Sequence, residues 1–204
     1  MNTDTLAINT IISESLEKSM TYPEYRALVI NLVEENSSTG NDKSEAMANY
    51  TQLNDRRMRR WDKTGKVAED LKTKFKDFDK KITWLVISES WCGDAAHIMP
   101  IIHKAAELND NIDYKVVLRD ENESLMNQFL TNGGKAIPKL IMLDSETNEV
   151  LNTFGPRPTV ATNMVKAYKE AHGVITAEFK EDLQRWYNKD KGQSTLEDLA
   201  NLIG

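Results

Sequence analysis

What most restricts this chain is a strand-like run that leads straight into a turn holding its single cysteine. Ile82-Thr-Trp-Leu-Val-Ile-Ser88 is short, β-branched and aromatic, as expected of a strand buried on both faces. Ser90-Trp-Cys-Gly-Asp94 follows. From Ala95 to Leu108 the apolar Ile98, Ile101, Ile102 and Ala105 recur at helical spacing, with Lys104 and Glu107 outward. Strand, turn and helix in succession point to an α/β fold. They also place Cys92 at a helix start, where unpaired backbone N–H groups and the helix dipole favour a thiolate. Gly93 permits a tight backbone, Trp91 supplies a flat apolar wall beside the sulfur, and Pro100 is predicted to kink the helix.

The first eighty residues have a helical rhythm. Leu6, Ile8, Ile11, Ile12, Ser15 and Leu16 form one face; Thr21 can cap a second helix, with Pro23 in its first turn and Tyr25, Leu28, Val29, Leu32 and Val33 along it. After a polar loop at 36–42, Met47, Tyr50, Leu53, Asn54, Met58 and Trp61 make another stripe, continuing through Val67, Leu71, Phe75 and Phe78. Beyond the cysteine, strands are predicted at Asp113–Leu118, Lys139–Leu143 and Val150–Phe154, with a short helix at Glu123–Leu130. The turn Ser145-Glu-Thr-Asn148 suits an antiparallel hairpin. Pro158–His172 reads as a helix closed by Gly173, and a last helical stretch holds Phe179, Leu183, Trp186 and Tyr187. This order fits a mixed sheet covered by helices. The expected division is a helical extension over 1–80 packing on the core, an α/β domain over 81–173 and a helical segment over 174–204.

From Lys81 to His172 the chain resembles the thioredoxin family, in which Trp-Cys-Gly-x-Cys opens a helix kinked by a proline. Trp91-Cys-Gly-Asp-Ala95 and Pro100 carry the resemblance, together with Ala136-Ile-Pro-Lys-Leu140, similar to the family's cis-proline loop before its hairpin, and with Gly155 after the last strand. The resemblance implies a three-layer α/β/α fold with a mixed sheet of four to five strands, here with an N-terminal helical extension. It implies that Pro138 is cis and lies beside Cys92, and that the backbone of Ile137 pairs with a bound peptide or thiol. Trp91, Gly93, Asp94, Ile137 and Pro138 would then form the substrate groove around a catalytic Cys92. Three positions depart from the pattern. Ala95 stands where the family has its second cysteine, Val86 where thioredoxins often hold a buried acid, and Asp94 where many have proline. Asp94 raises the thiol pKa while the helix terminus lowers it.

One cysteine allows no internal disulfide. A mixed disulfide on Cys92 would therefore need an external small thiol, such as glutathione, for release; no resident cofactor is expected. The expected partners are a disulfide-containing protein or a low-molecular-weight thiol. The alternative is a redox-inactive binding module on the same scaffold. Cys92 is expected to reach solvent rather than to be a small buried hydrophobe. His97 lies about 140° around the helix from Cys92 and is expected to point away from it. His103 and His172 have no ligand-spaced partners, so no metal is expected. Glu89 and Lys139 are expected to be solvated, Lys139 near the groove rim. The arginines of Asp55–Asp62 read as an exposed helix face with Asp55–Arg59 and Arg59–Asp62 pairs in preference to an anion or partner patch. A net charge of −6 argues against nucleic acid. No apolar run is long enough to span a membrane, and no secretory signal pattern opens the sequence, so the expected location is cytoplasmic. The sequence sets no oligomeric state.

Overall fold

The computed structural model describes residues 3–203, and side chains from residue 7 onward. Leu6 of the expected first helical face lies outside the described side chains, and residues 1, 2 and 204 of the expected end segments lie outside the described chain. Helix α1 (Thr3–Glu17) leads to a two-residue strand β1 (Met20–Thr21) and then to α2 (Tyr22–Glu34). Thr21 caps α2 through a capping box: its hydroxyl accepts from the Glu24 N–H, and the Glu24 carboxylate accepts from the Thr21 N–H at 2.7 Å. This satisfies backbone donors that a helix start otherwise leaves open.

The apolar stripe expected over 47–78 resolves into two helices, α3 (Glu45–Thr64) and α4 (Glu69–Lys76). Gly65 ends α3 in an extended conformation, so the stripe turns a corner. Tyr50 and Leu53, read as part of its apolar face, are exposed.

Strand β2 (Ile82–Ser88) is buried at every position, as its composition requires. It pairs in parallel with β3 (Ile112–Leu118) and antiparallel with β4 (Lys139–Asp144); β4 pairs antiparallel with β5 (Val150–Phe154), and β1 adds antiparallel to β3. The five-stranded sheet runs β1-β3-β2-β4-β5. The parallel pair is joined by α5 (Ala95–Ala106), the crossover that parallel strands need. Helix α6 (Glu123–Gln128) precedes β4. After β5 come α7 (Thr159–His172), α8 (Ala177–Asp190) and α9 (Gln193–Ile203), so the last helical stretch is two helices. The turn between them carries Lys191 and Gly192 at positive φ. A Cβ on Gly192 would lie 2.6 Å from an Ile101 side-chain carbon of α5, which only glycine avoids.

Helix α5 packs between α3 and α9, while α1 packs with α6. One apolar cluster takes in Tyr25 of α2, Trp61 of α3, Phe75 of α4, Trp84 of β2 and Leu196 of α9, so the N-terminal helices share the core of the sheet. A buried polar clamp fixes α2 to α3: Arg26 pairs with Asp55 at 3.0 Å and Asp62 at 2.9 Å, and the Tyr22 hydroxyl donates to Asp62 at 2.7 Å. The Asp55–Arg59 pair forms at 2.8 Å. Asp62 is taken by Arg26 instead of Arg59, because Arg26 reaches it from the partner helix.

Candidate functional site

The turn between β2 and α5 is held by elements far away in sequence. Ser90 is buried; its N–H donates to the Thr39 hydroxyl at 2.7 Å, and its own hydroxyl accepts from the Thr39 N–H at 2.9 Å. Thr51 and Ser90 hydroxyls bond at 2.8 Å, and the Asn54 side-chain amide donates to the Ser90 carbonyl at 2.9 Å. The loop before α3 and the face of α3 therefore seat directly on the turn that carries Cys92.

Cys92 itself differs from its expected setting: it is 7% exposed rather than solvent-reaching. Its Sγ donates to the carbonyl of Ile137 at 3.2 Å. The Ile137–Pro138 peptide is cis, and both residues are buried. Gly155 secures this loop from β5. Its φ is +107°, and a Cβ there would lie 2.3 Å from the Pro138 carbonyl oxygen, so no side chain fits.

The thiol is pushed up to about 12, first by burial and then by the Asp94 charge. The backbone N–H groups of Ala95 and Asp94 and the Arg157 guanidinium oppose the rise. Of the two influences the sequence sets against each other, Asp94 and the helix terminus, neither leads; desolvation outweighs both.

Asp94 is nearly buried, and this raises its carboxyl above its usual range. Arg157 holds one oxygen at 2.6 Å and the Tyr187 hydroxyl donates to the other at 2.9 Å. Arg57 of α3 borders the turn at Gly93: a Cβ there would be 3.5 Å from its Nη1. Trp91 is half-buried, with the Arg119 guanidinium 4.9 Å above its ring. The structure thus brings together Trp91, Cys92, Gly93, Asp94, Ile137 and Pro138, and adds Arg57, Arg157 and Tyr187. Arg157 and Tyr187 do not stand out as site residues in the sequence, and Arg57 does so only through the less favoured reading of its arginine run as an anion or partner patch. Arg57 is one of four arginines in a helical segment, and Arg157 follows Gly155-Pro156 with no motif of its own.

His97 points away from the sulfur, as its position on the helix requires. Its Nδ1 accepts from the Trp61 indole N–H at 2.9 Å, its Nε2 meets the Gln184 Oε1 at 2.6 Å, and its ring stacks on Tyr187 at 4.5 Å. Burial lowers it to about 4.

Glu89 and Lys139 are not solvated. Glu89 is fully buried and accepts from the Asp120 N–H at 2.9 Å; burial raises its carboxyl. Lys139 is buried with its Nζ near the Gly155 carbonyl, and burial lowers its pKa. Among the described residues no group of three or more His, Cys, Asp or Glu side chains converges to hold a metal. No helix among them is long and apolar enough to cross a membrane.

A mixed sheet flanked by helices, with a cysteine at the strand-to-helix turn and a cis proline against its sulfur, defines a thioredoxin-like fold. The family model for thioredoxin matches residues 40–170, and the chain belongs to that family. The match begins at Gly40, so it takes in α3, whose Thr51 and Asn54 seat on the turn, and starts one residue after Thr39. Two crystal structures are similar. One, a protein of unknown function from Pseudomonas aeruginosa, has a TM-score of 0.56 at 19% identity, covering 76% of this chain and 84% of its own. The other, an HIV epitope scaffold, has a TM-score of 0.56 at 19% identity, covering 90% of this chain and 98% of its own. At that identity the likeness speaks for the fold alone. A comparison with curated proteins finds no match.

Proposed function

We propose that this thioredoxin-family chain performs thiol–disulfide exchange through Cys92 alone. One observation carries the proposal: the sulfur stands in the turn that leads into α5, beside the carbonyl that precedes a cis proline. Backbone N–H groups and Arg157 are placed to favour its thiolate there. A cysteine that served only as a small apolar filler would need none of them.

In the proposed cycle the Cys92 proton leaves to solvent and the thiolate attacks one sulfur of a disulfide. A new S–S bond forms as the old one breaks, and the departing thiolate takes up a proton. Ala95 offers no thiol to resolve the mixed disulfide. A second, low-molecular-weight thiol of the glutathione class attacks it, becomes a disulfide with the bound group and returns Cys92 as a thiol. Each turn releases one half of the substrate as a thiol and draws one external thiol into the new disulfide, so the number of disulfides is unchanged and successive turns consume external thiols. The proposed location is the cytoplasm, where a reduced thiol pool can supply them.

A second reading is favoured by the burial of the sulfur. With its pKa near 12, the thiolate fraction at pH 7 is on the order of 10⁻⁵, as suits a scaffold that binds a partner at this groove without turnover. Alkylation of Cys92 across the alkaline range, with a thiol-coupled assay on a glutathione mixed disulfide, separates the two. Turnover that Cys92→Ser abolishes supports exchange. Alkylation slower than that of free cysteine, with no turnover, overturns exchange and leaves the binding reading.

A further inference from the structure

We propose that Arg57 and Arg157 form an anion subsite beside Cys92, selecting a small thiol or disulfide that carries a carboxylate next to its sulfur. This rests on the exchange reading of Cys92, whose substrate class it specifies.

The first observation is the solitude of Arg57. Its Nη1 donates to the Asn54 side-chain oxygen at 3.0 Å, and no carboxylate pairs with it among the described residues. Arg26 is committed to Asp55 and Asp62, Arg59 to Asp55, and Arg119 to Asp120 at 2.8 Å, while Arg56 and Arg60, which pair with no carboxylate among the described residues, are exposed. A guanidinium has five N–H donors in a fixed fork that matches a carboxylate. Arg57 uses one of them, although it is half-buried, where an unpaired cation is costly. It faces the turn where Gly93 has no side chain, within 3.5 Å of where one would begin.

The second observation concerns Arg157, which binds Asp94 with one nitrogen, while its Nε is buried and has no partner. Asp94 is the carboxylate between the two guanidinium groups, and its second oxygen is already taken by Tyr187. Two cations against one carboxylate leave an excess positive charge around Asp94 in a chain whose net charge is −6, while at the sulfur itself Asp94 outweighs Arg157. Arg57 and Arg157 thus supply a fork and a local field for an anion. The bonds from Thr39, Thr51 and Asn54 to Ser90 cover one side of the turn, and the sulfur is 7% exposed. A sulfur covered to this degree favours a small molecule over a protein loop as its reactant.

The test is a charge series of methanethiosulfonates. The Cys92 thiolate attacks the sulfenyl sulfur, methanesulfinate leaves, and a mixed disulfide remains. The rate ratio of the anionic sulfonatoethyl reagent to the cationic trimethylammonioethyl reagent is compared with that for 2-mercaptoethanol. The expected ratio is about tenfold higher for the protein at low salt and shrinks as salt screens the site. Arg57→Ala should bring it to the reference value, with Arg57→Lys between. A ratio equal to the reference, or one unmoved by Arg57→Ala, overturns the proposal. If Arg57→Ala does not fold, the salt dependence of the unaltered chain decides: a ratio insensitive to salt overturns the proposal. If no reagent modifies Cys92, exchange falls, and calorimetry with S-methylglutathione, which cannot exchange, judges the subsite separately. Binding that Arg57→Ala weakens at least about tenfold upholds it, and no binding overturns it.

Discussion

Desolvation and the Asp94 charge both hold the proton on Cys92, while two backbone N–H groups and Arg157 pull the other way. Of these, Asp94 can be changed without emptying the site. Asn at that position keeps an oxygen for the Tyr187 hydroxyl and removes the charge that Arg157 now neutralises. Asp94→Asn should therefore lower the thiol pKa by about one unit and speed alkylation near neutral pH about tenfold. The alkylation rate of the variant checks this, and an unchanged rate would mean that the carboxylate is not felt at the sulfur. The members of this site that follow one another in sequence, Trp91 to Asp94, were legible because a strand, a glycine and a helix start adjoin them. Ile137 and Pro138 were legible only through a family resemblance. Arg57, Arg157 and Tyr187 were not, because each arrives from a separate element and nothing local marks the face it presents. The burial of Glu89 and Lys139 was equally hidden, since it depends on Gly40, Asp120 and Gly155 closing over them from other segments.

Helices α2 and α3 share the apolar core and are joined in addition by a charged contact. Arg26 is 8% exposed and bridges two aspartates. Removing it leaves Asp62 without its cation and Asp55 with Arg59 alone. Arg26→Ala should cost about 3 kcal/mol, the usual range for breaking a buried pair from one side. The shift in urea midpoint at unchanged slope measures it, and a loss under about 1 kcal/mol would show that apolar packing alone holds the helices. Most elements were visible in advance: the capped start of α2, the buried run of β2, the β4–β5 hairpin and the helix ended by Gly173. Two kinds of feature were not. Strand β1 is two residues long and has no period to detect. The breaks at Gly65 and at Lys191-Gly192 interrupt continuous apolar patterns, because periodicity survives a corner when both helices face the same core. The Arg59–Asp62 pair failed for a related reason, since spacing along one helix says nothing of a better cation on its neighbour.

His97 links α3, α5 and α8, so its titration should be felt by the molecule as a whole. The Trp61 indole can only donate, which makes His97 Nδ1 the bare acceptor and places the ring proton on Nε2, toward Gln184. A second proton would set Nδ1–H against the indole N–H inside a buried site, and the folded value accordingly drops to about 4 from 6.5. In the unfolded chain the imidazole protonates at its ordinary value. Below that pH the unfolded state binds a proton that the folded state refuses, so stability is fully present above 6.5 and is lost as pH falls towards 4. The loss attributable to His97 should reach about 3 kcal/mol at the acid end. Glu89 and Asp94, whose carboxyls are raised by burial, act in the opposite sense, because the folded state takes up their protons first. Comparing His97→Gln with the unaltered chain cancels them. Whatever the stability of the variant at neutral pH, it should decline less on acidification by that same 3 kcal/mol or so, as read from urea unfolding at successive pH values. Parallel declines would mean that the imidazole is protonated inside the fold. The Trp61 and Gln184 contacts would then have to rearrange, and with them the Tyr187 ring that stacks on His97 and holds Asp94 beside the sulfur.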